Sequence, residues 1–180
     1  MPIRVDAYIT GGVASGLLAR PEHLRDVLES ESTLELERVS WRALGEAAAR
    51  SIDHLSIPVD DVLIAVADAD PILPVHASWH AIRLEVGPYR IDGELPTLPG
   101  FDPGRALTRP GGDYVMLRDV RLAILGGSSA TVTIGQHALV NRYSVERVTA
   151  DIMLGFFFPG AAMEGLASES AATSPAGSAS

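Results

Sequence analysis

His76 and His80, in the run His-Ala-Ser-Trp-His, stand four residues apart. On a helix that spacing would aim two imidazoles at one metal ion, with Asp68 or Asp70 adding oxygen ligands. The segment leads instead into an alternating strand pattern. There, residues four apart are separated by roughly 13 Å, so both read as linker or surface histidines. Asp60 and Asp61, together with Asp68 and Asp70, have the composition of a Mg2+ or Ca2+ site. Aspartate is equally the residue that caps turns by bonding its own backbone, and turn chemistry accounts for all four. Asp53 and His54 look like an acid–base pair, but neighbours in a strand point to opposite faces. There is no G-x-S-x-G elbow, P-loop, dinucleotide fingerprint or H-E-x-x-H, and Ser15-Gly16 lacks the setting of a nucleophile. These residues assign no catalytic group, metal or cofactor, and the expectation is a protein that is not an enzyme.

Composition narrows the partners. The chain has 180 residues, 47% of them hydrophobic and 21% charged, enough to bury a core in one domain or two small ones. Its 23 acidic residues outnumber 14 basic ones, giving a net charge of −9. Every basic residue is an arginine, and no two are adjacent. Nucleic-acid binding depends on neutralising phosphates with clustered cations, so no nucleic-acid partner is expected. Absence of cysteine excludes disulfides and thiolate metal sites and fits a reducing compartment. The N-terminal run enters a strand pattern without an apolar signal-like region, and no apolar stretch is long enough for a membrane span. A cytoplasmic location is the expectation.

The elements that must carry these residues follow from periodicity. Val5, Ala7 and Ile9 alternate with Asp6, Tyr8 and Thr10, Gly11-Gly12 suits a tight turn, and Val13 to Leu18 returns. Gly16 inside that return strand marks a bulge or a close backbone approach. Pro21–Ser30 is the best helix candidate, with Leu24, Val27 and Leu28 at helical spacing. Leu34, Leu36 and Val39–Trp41 read as a further strand, and Gly45–Arg50 as a polar connection. Leu55–Val66 reads as two strands broken at Pro58–Asp61, the second apolar enough to be buried on both faces. Asp68–Pro74, with two prolines and two aspartates, is a linker.

The second half repeats this order. Ile82–Leu95 is a second hairpin, turning at Gly87-Pro88. Leu98–Arg109 stands where the helix stood but is richer in proline and glycine. Tyr114–Leu117 and Val120–Leu125 follow as strands, then the connection Gly126–Ala130, a strand candidate at Thr131–Ile134, and Ala138–Val148. Val5, Ile9, Gly16 and Leu18 pair with Ile82, Val86, Gly93 and Leu95 at an offset of 77. Leu34, Leu36 and Val39 pair with Val115, Leu117 and Val120 at 81, and Val62 pairs with Val145 at 83. The offset drifts only in loops, which points to an internal duplication.

The succession of a glycine on the second strand, a leucine-rich short helix and a closing strand pair resembles a small bacterial family of uncharacterised Sm-like β-barrel domains. The carrying residues are Gly16 and the runs His23–Leu28, Leu34–Trp41 and Ser56–Val66. Val140-Asn141-Arg142-Tyr143-Ser144-Val145 fits the family's closing V-N-[RK]-x-x-I segment. Pro58-Val59-Asp60-Asp61-Val62 lacks its asparagine and basic residue. The resemblance covers residues 5–66 and 82–148. It implies a fold and no activity, and it marks Asn141 and Arg142 as binding residues, because that loop is a common contact site in Sm-like barrels.

Ala150–Gly160 carries three consecutive phenylalanines. As a strand it would turn Phe156 and Phe158 to one side and Phe157 to the other. The run is either a docking surface or a strand closing the core, and Phe156, Phe157 and Phe158 join Asn141 and Arg142 as candidate binding residues. Ala167–Ser180 is low-complexity and reads as a disordered tail.

The expected architecture is mainly β: two tandem small Sm-like β-barrel units, each with one short helix, in a pseudo-two-fold arrangement. The first unit spans 1–68, a linker 69–80, the second unit with a C-terminal aromatic strand 81–160, and a tail 161–180. The expected function is a non-enzymatic intracellular binding or assembly module acting through protein–protein contacts, with a protein partner or as a homo-oligomer. The alternative is a regulatory domain binding a small molecule or divalent metal through Asp60, Asp61, Asp68, Asp70 and the nearby histidines.

Overall fold

The alternating runs form strands because each has one apolar face to bury. The computed structural model describes residues 2–18, 23–68, 76–97, 112–127, 133–152, 154 and 157–165. In the first half, β1 (Arg4–Ile9) and β2 (Gly12–Leu18) pair as a hairpin. Helix α1 (Leu24–Ser30) follows, burying Leu24, Val27 and Leu28. Pro21 and Glu22, expected in its first turn, lie outside the described residues. Strand β3 (Thr33–Ala43) pairs with β2 and with β4 (Arg50–Pro58). A 3-10 turn at Val59–Asp61 leads to β5 (Ile64–Ala67), which returns to β1.

The second half runs through β6 (Ser78–Val86), β7 (Tyr89–Thr97), β8 (Tyr114–Ile124) and β9 (Thr133–Asn141), then a 3-10 turn at Arg142–Ser144 and β10 (Val145–Ala150). Its strand order, β10-β6-β7-β8-β9, matches the first half's β5-β1-β2-β3-β4. The expected linker, 69–80, gives its last residues to β6, and the expected disordered tail, 161–180, contains a strand, β11 (Ala162–Glu164), because its backbone finds the free edge of β10. Residues 69–75, 98–111, 128–132 and 166–180 lie outside the described residues.

Both halves bend at a glycine. The β2–β3 register shifts between Ser15 and Leu17, and β7–β8 shifts between Asp92 and Glu94. Opposite these glycines, Arg38 and Asp119 take φ of 52° and 50°. A Cβ on Gly16 would stand 3.0 Å from the Glu37 carbonyl and 3.1 Å from Val39; one on Gly93 would stand 3.0 Å from the Arg118 carbonyl and 3.1 Å from Val120. The extra residue in the bulged strand reverses the in–out alternation, so Leu34, Leu36 and Val39 all reach the core, as do Val115, Leu117 and Val120.

The expected barrels do not form. The protein has a single open sheet of eleven strands, in the order β11-β10-β6-β7-β8-β9-β5-β1-β2-β3-β4. Closing the first half would require β4 to pair with β5, but β5 offers that edge to β9 through Ile64↔Val140 and Ala65↔Leu139. Closing the second half would require β9 to pair with β10, whose outer edge takes β11 (Ala162–Glu164) in parallel. The ladder therefore continues from half to half instead of returning on itself.

The two cores borrow across the seam. Tyr8, Val13, Leu63 and Ile64 of the first half pack in the second half's cluster, and Tyr114 of β8 packs in the first half's cluster with Leu34, Val59 and Val62. The buried Tyr114 hydroxyl donates towards the Val59 and Val62 carbonyls at 2.9 and 3.0 Å. Tyr89 donates in the same way to Ile9 and Gly12, at 2.7 and 2.9 Å. Helix α1 adds Glu29, whose carboxylate accepts from the backbone N–H of Asp113 and Tyr114.

The C-terminal aromatic strand is also corrected. Phe157 and Phe158 lie in a turn closed by Phe157 N–H donating to Leu154 O and Ala161 N–H to Phe158 O. Both rings are buried, with centroids 6.4 Å apart. A turn, unlike a strand, can fold two consecutive side chains under the same sheet. Gly160, at φ 82°, then releases the chain into β11.

Candidate functional site

Asn141 and Arg142 sit where β9 enters its 3-10 turn. The Asn141 side chain accepts from the Tyr143 N–H at 3.1 Å, an Asx cap that fixes the turn. Arg142 follows and is 3% exposed, in the place that buried Val59 holds in the first half. Its Nη2 donates to the Tyr143 hydroxyl at 2.9 Å, and its guanidinium lies 4.8 Å from that ring's centroid. Nε and Nη1 are buried and have no hydrogen-bond partner among the described residues. The geometry makes these two residues neighbours in one turn but turns the cation inward, while Tyr143, half exposed, presents the outer surface.

Of the phenylalanine run, Phe157 and Phe158 belong to the chain's own core, packed with Leu154 and Val148. Phe156 lies outside the described residues. The turn carrying Phe157 and Phe158 is a separate element from the one carrying Asn141 and Arg142.

The carboxylates and histidines are dispersed. Asp60 and Asp61 are exposed in the 3-10 turn after β4, and Asp68 is exposed after β5. Asp70 is outside the described residues. His76 takes φ 69° ahead of β6, whereas His80 is in β6 and within 2.8 Å of the Thr97 hydroxyl. Among the described residues, no three His, Asp or Glu side chains are placed to share a metal ion. His54 is held by Glu35 at 3.0 Å on the neighbouring strand, not by Asp53.

Two surfaces stand out that no motif marks. The first is β4 itself. Among the described residues it pairs with β3 alone and ends the sheet, leaving an open edge across Arg50–Pro58. Pairing between two later strands decides which edge remains open, so the residues of β4 alone do not reveal it. The opposite end of the sheet is covered by the short β11, whose Glu164 ion-pairs with Arg147 at 2.6 Å.

The second is a groove of about 550 Å³ between the halves, lined by Tyr8, Val13, Arg42, Tyr89, Leu122 and Thr133, with Leu44 and Ile124 on its rim. Its floor is a tyrosine pair: the rings of Tyr8 and Tyr89 meet edge to face with centroids 5.4 Å apart. Burial pushes the Tyr8 phenol up, opposed by a hydrogen bond from Thr133; nearby Asp6 raises it further and Arg42 lowers it. Burial likewise pushes Tyr89 far above the usual phenol range, with Tyr8 adding to the rise and Arg42 opposing it. Both phenols are therefore neutral at physiological pH, and both feel the Arg42 charge. The alternation of Tyr8 in β1 was visible in the sequence, but it placed Tyr8 on the polar face. Only the seam with the second half buries it.

No family model, curated protein or solved structure matches this chain.

Proposed function

We propose that the protein is a non-enzymatic assembly module that pairs with a second copy of itself through the open edge of β4. The nine-residue β4 edge, open among the described residues, carries this reading. An exposed edge presents a row of free N–H and C=O groups, a template for another strand. Within the chain, β9 stands fourth in its half and pairs with β5 of the other half. β4 stands fourth in its own half and has the same edge unused. The shared strand order, the paired bulges at Gly16 and Gly93 and the 77-to-83 offset support an ancestral duplication of one five-stranded unit.

The middle of β4 offers a copy of itself self-complementary side chains. A two-fold-related antiparallel copy keeps each side chain on its own face, so a register centred on Ile52 sets Ile52 against Ile52 and Ser51 against Asp53. The burial pattern suits this: Ile52 is half-buried, and Ser51 and Asp53 are both exposed. Favourable cross-strand pairs of this kind contribute roughly 0.2–1 kcal/mol each. The acidic surface suits protein contacts better than nucleic acid, and a chain without cysteine suits the cytoplasm.

Light scattering on the full chain tests the reading. A dimer is expected, and Ser51→Lys with Asp53→Lys, which sets like charges against each other across the edge, is expected to give a monomer with the far-UV circular dichroism of the parent chain. A wild-type chain that stays strictly monomeric, or a dimer indifferent to these substitutions, would refute it.

A further inference from the structure

The groove between the halves has the build of a ligand site. Its volume of about 550 Å³ falls within the roughly 300–1,000 Å³ typical of small-molecule pockets. Val13 and Leu122 give it apolar walls, the neutral Tyr8–Tyr89 pair gives it an aromatic floor, and the Tyr8 and Thr133 hydroxyls add polar groups at one place. Leu44 and Ile124 at its rim are among the few large apolar side chains left exposed, at 38% and 37%. The rim comes from the far ends of β3 and β8, so it exists only because the seam brings the two halves together.

Among the described residues, Arg42 is the one cation that lines this groove. Arg83, Arg90, Arg118 and Arg147 each have a carboxylate partner. Arg42 has none among the described residues, although its charge reaches both phenols. Glu46 lines the same groove without pairing with it. An apolar body with a single negative end complements this arrangement: the chain lies on Val13, Leu122 and the leucine–isoleucine rim, and the anion meets Arg42. A dianion would meet repulsion from Glu46 as well.

We propose that this groove binds a medium-chain monocarboxylate, with its carboxylate on Arg42 and its alkyl chain between the two halves. The probe is sodium octanoate, titrated into the full-length protein and followed by amide chemical shifts and thermal melting. Saturable shifts are expected at Gly12, Leu44 and Thr133, together with a raised melting temperature. Octanol lacks the charge and acetate lacks the chain, so each is expected to bind at least tenfold more weakly. Arg42 is exposed, and Arg42→Gln is expected to fold normally and weaken octanoate at least tenfold. Glu46→Gln is expected to tighten it. Octanoate that shifts no groove residue, or that binds Arg42→Gln as well as the parent, overturns the proposal. Equal binding of octanol would also overturn it, because the groove would then be an unselective apolar surface.

Discussion

Tyr114→Phe isolates the joint between the halves, because it removes one oxygen and leaves the ring in place. The hydroxyl comes from β8 of the second half and reaches the carbonyls of Val59 and Val62 in the first. Its single proton is shared between two acceptors, so it counts as about one hydrogen bond. The net loss is about 1 kcal/mol, rising to about 3 kcal/mol if the freed carbonyls stay buried without a donor. With a urea m-value of about 2 kcal/mol/M for a chain of this size, the unfolding midpoint should fall by about 0.5–1.5 M. Trp41 lies in β3 and Trp79 in β6, one reporter in each half. Measured in Trp41→Phe and Trp79→Phe backgrounds, both halves should lose stability together, because the continuous sheet and exchanged core residues make them one cooperative unit. An unchanged midpoint would refute the role of the hydroxyl. A shift confined to the Trp41 signal would refute the joint.

Gly16→Ala and Gly93→Ala should each cost about 1–3 kcal/mol, since the new methyl meets a backbone carbonyl that cannot retreat. Gly165→Ala, with open space around it, serves as the neutral control in the same melts. Tyr89 and Tyr114 have phenols raised in the folded state, so their stabilisation is complete below the unfolded value near 10 and is lost as the pH climbs above it. Denaturation measured between pH 9 and 11.5 should show stability falling by up to about 1.4 kcal/mol per pH unit for each tyrosine, and Tyr89→Phe should flatten that slope. Arg142→Met should be neutral or stabilising by about 1–4 kcal/mol in calorimetry, because it replaces a buried cation, two of whose nitrogens have no partner among the described residues, by an apolar chain.

Local elements were largely readable. The break at Pro58–Asp61 emerged as the end of β4, a 3-10 turn and β5. The apolar spacing of Leu24, Val27 and Leu28 emerged as the buried face of α1. Gly16, noted as a bulge or close approach, is at a register shift with both features. The candidate sites were less readable. Asn141 and Arg142 share a turn, but side-chain type alone did not reveal that the guanidinium points inward. Strand alternation misled for Phe157 and Phe158, because the hydrogen bonds of a turn override the period-two pattern.

Residue type and spacing by themselves determined a mainly β chain, the places where strands begin and break, and a matched order of elements in two halves. These are local properties: alternation of apolar residues, glycines and prolines at turns, and a helical spacing over a few residues. Tertiary structure alone decided that β5 gives its outer edge to β9 rather than closing on β4. That choice is a competition between strand edges far apart in the chain, and the pleat of each strand is the same either way. From it follow the open sheet, the β4 edge left open among the described residues and the groove that Arg42 lines together with Tyr8 and Tyr89.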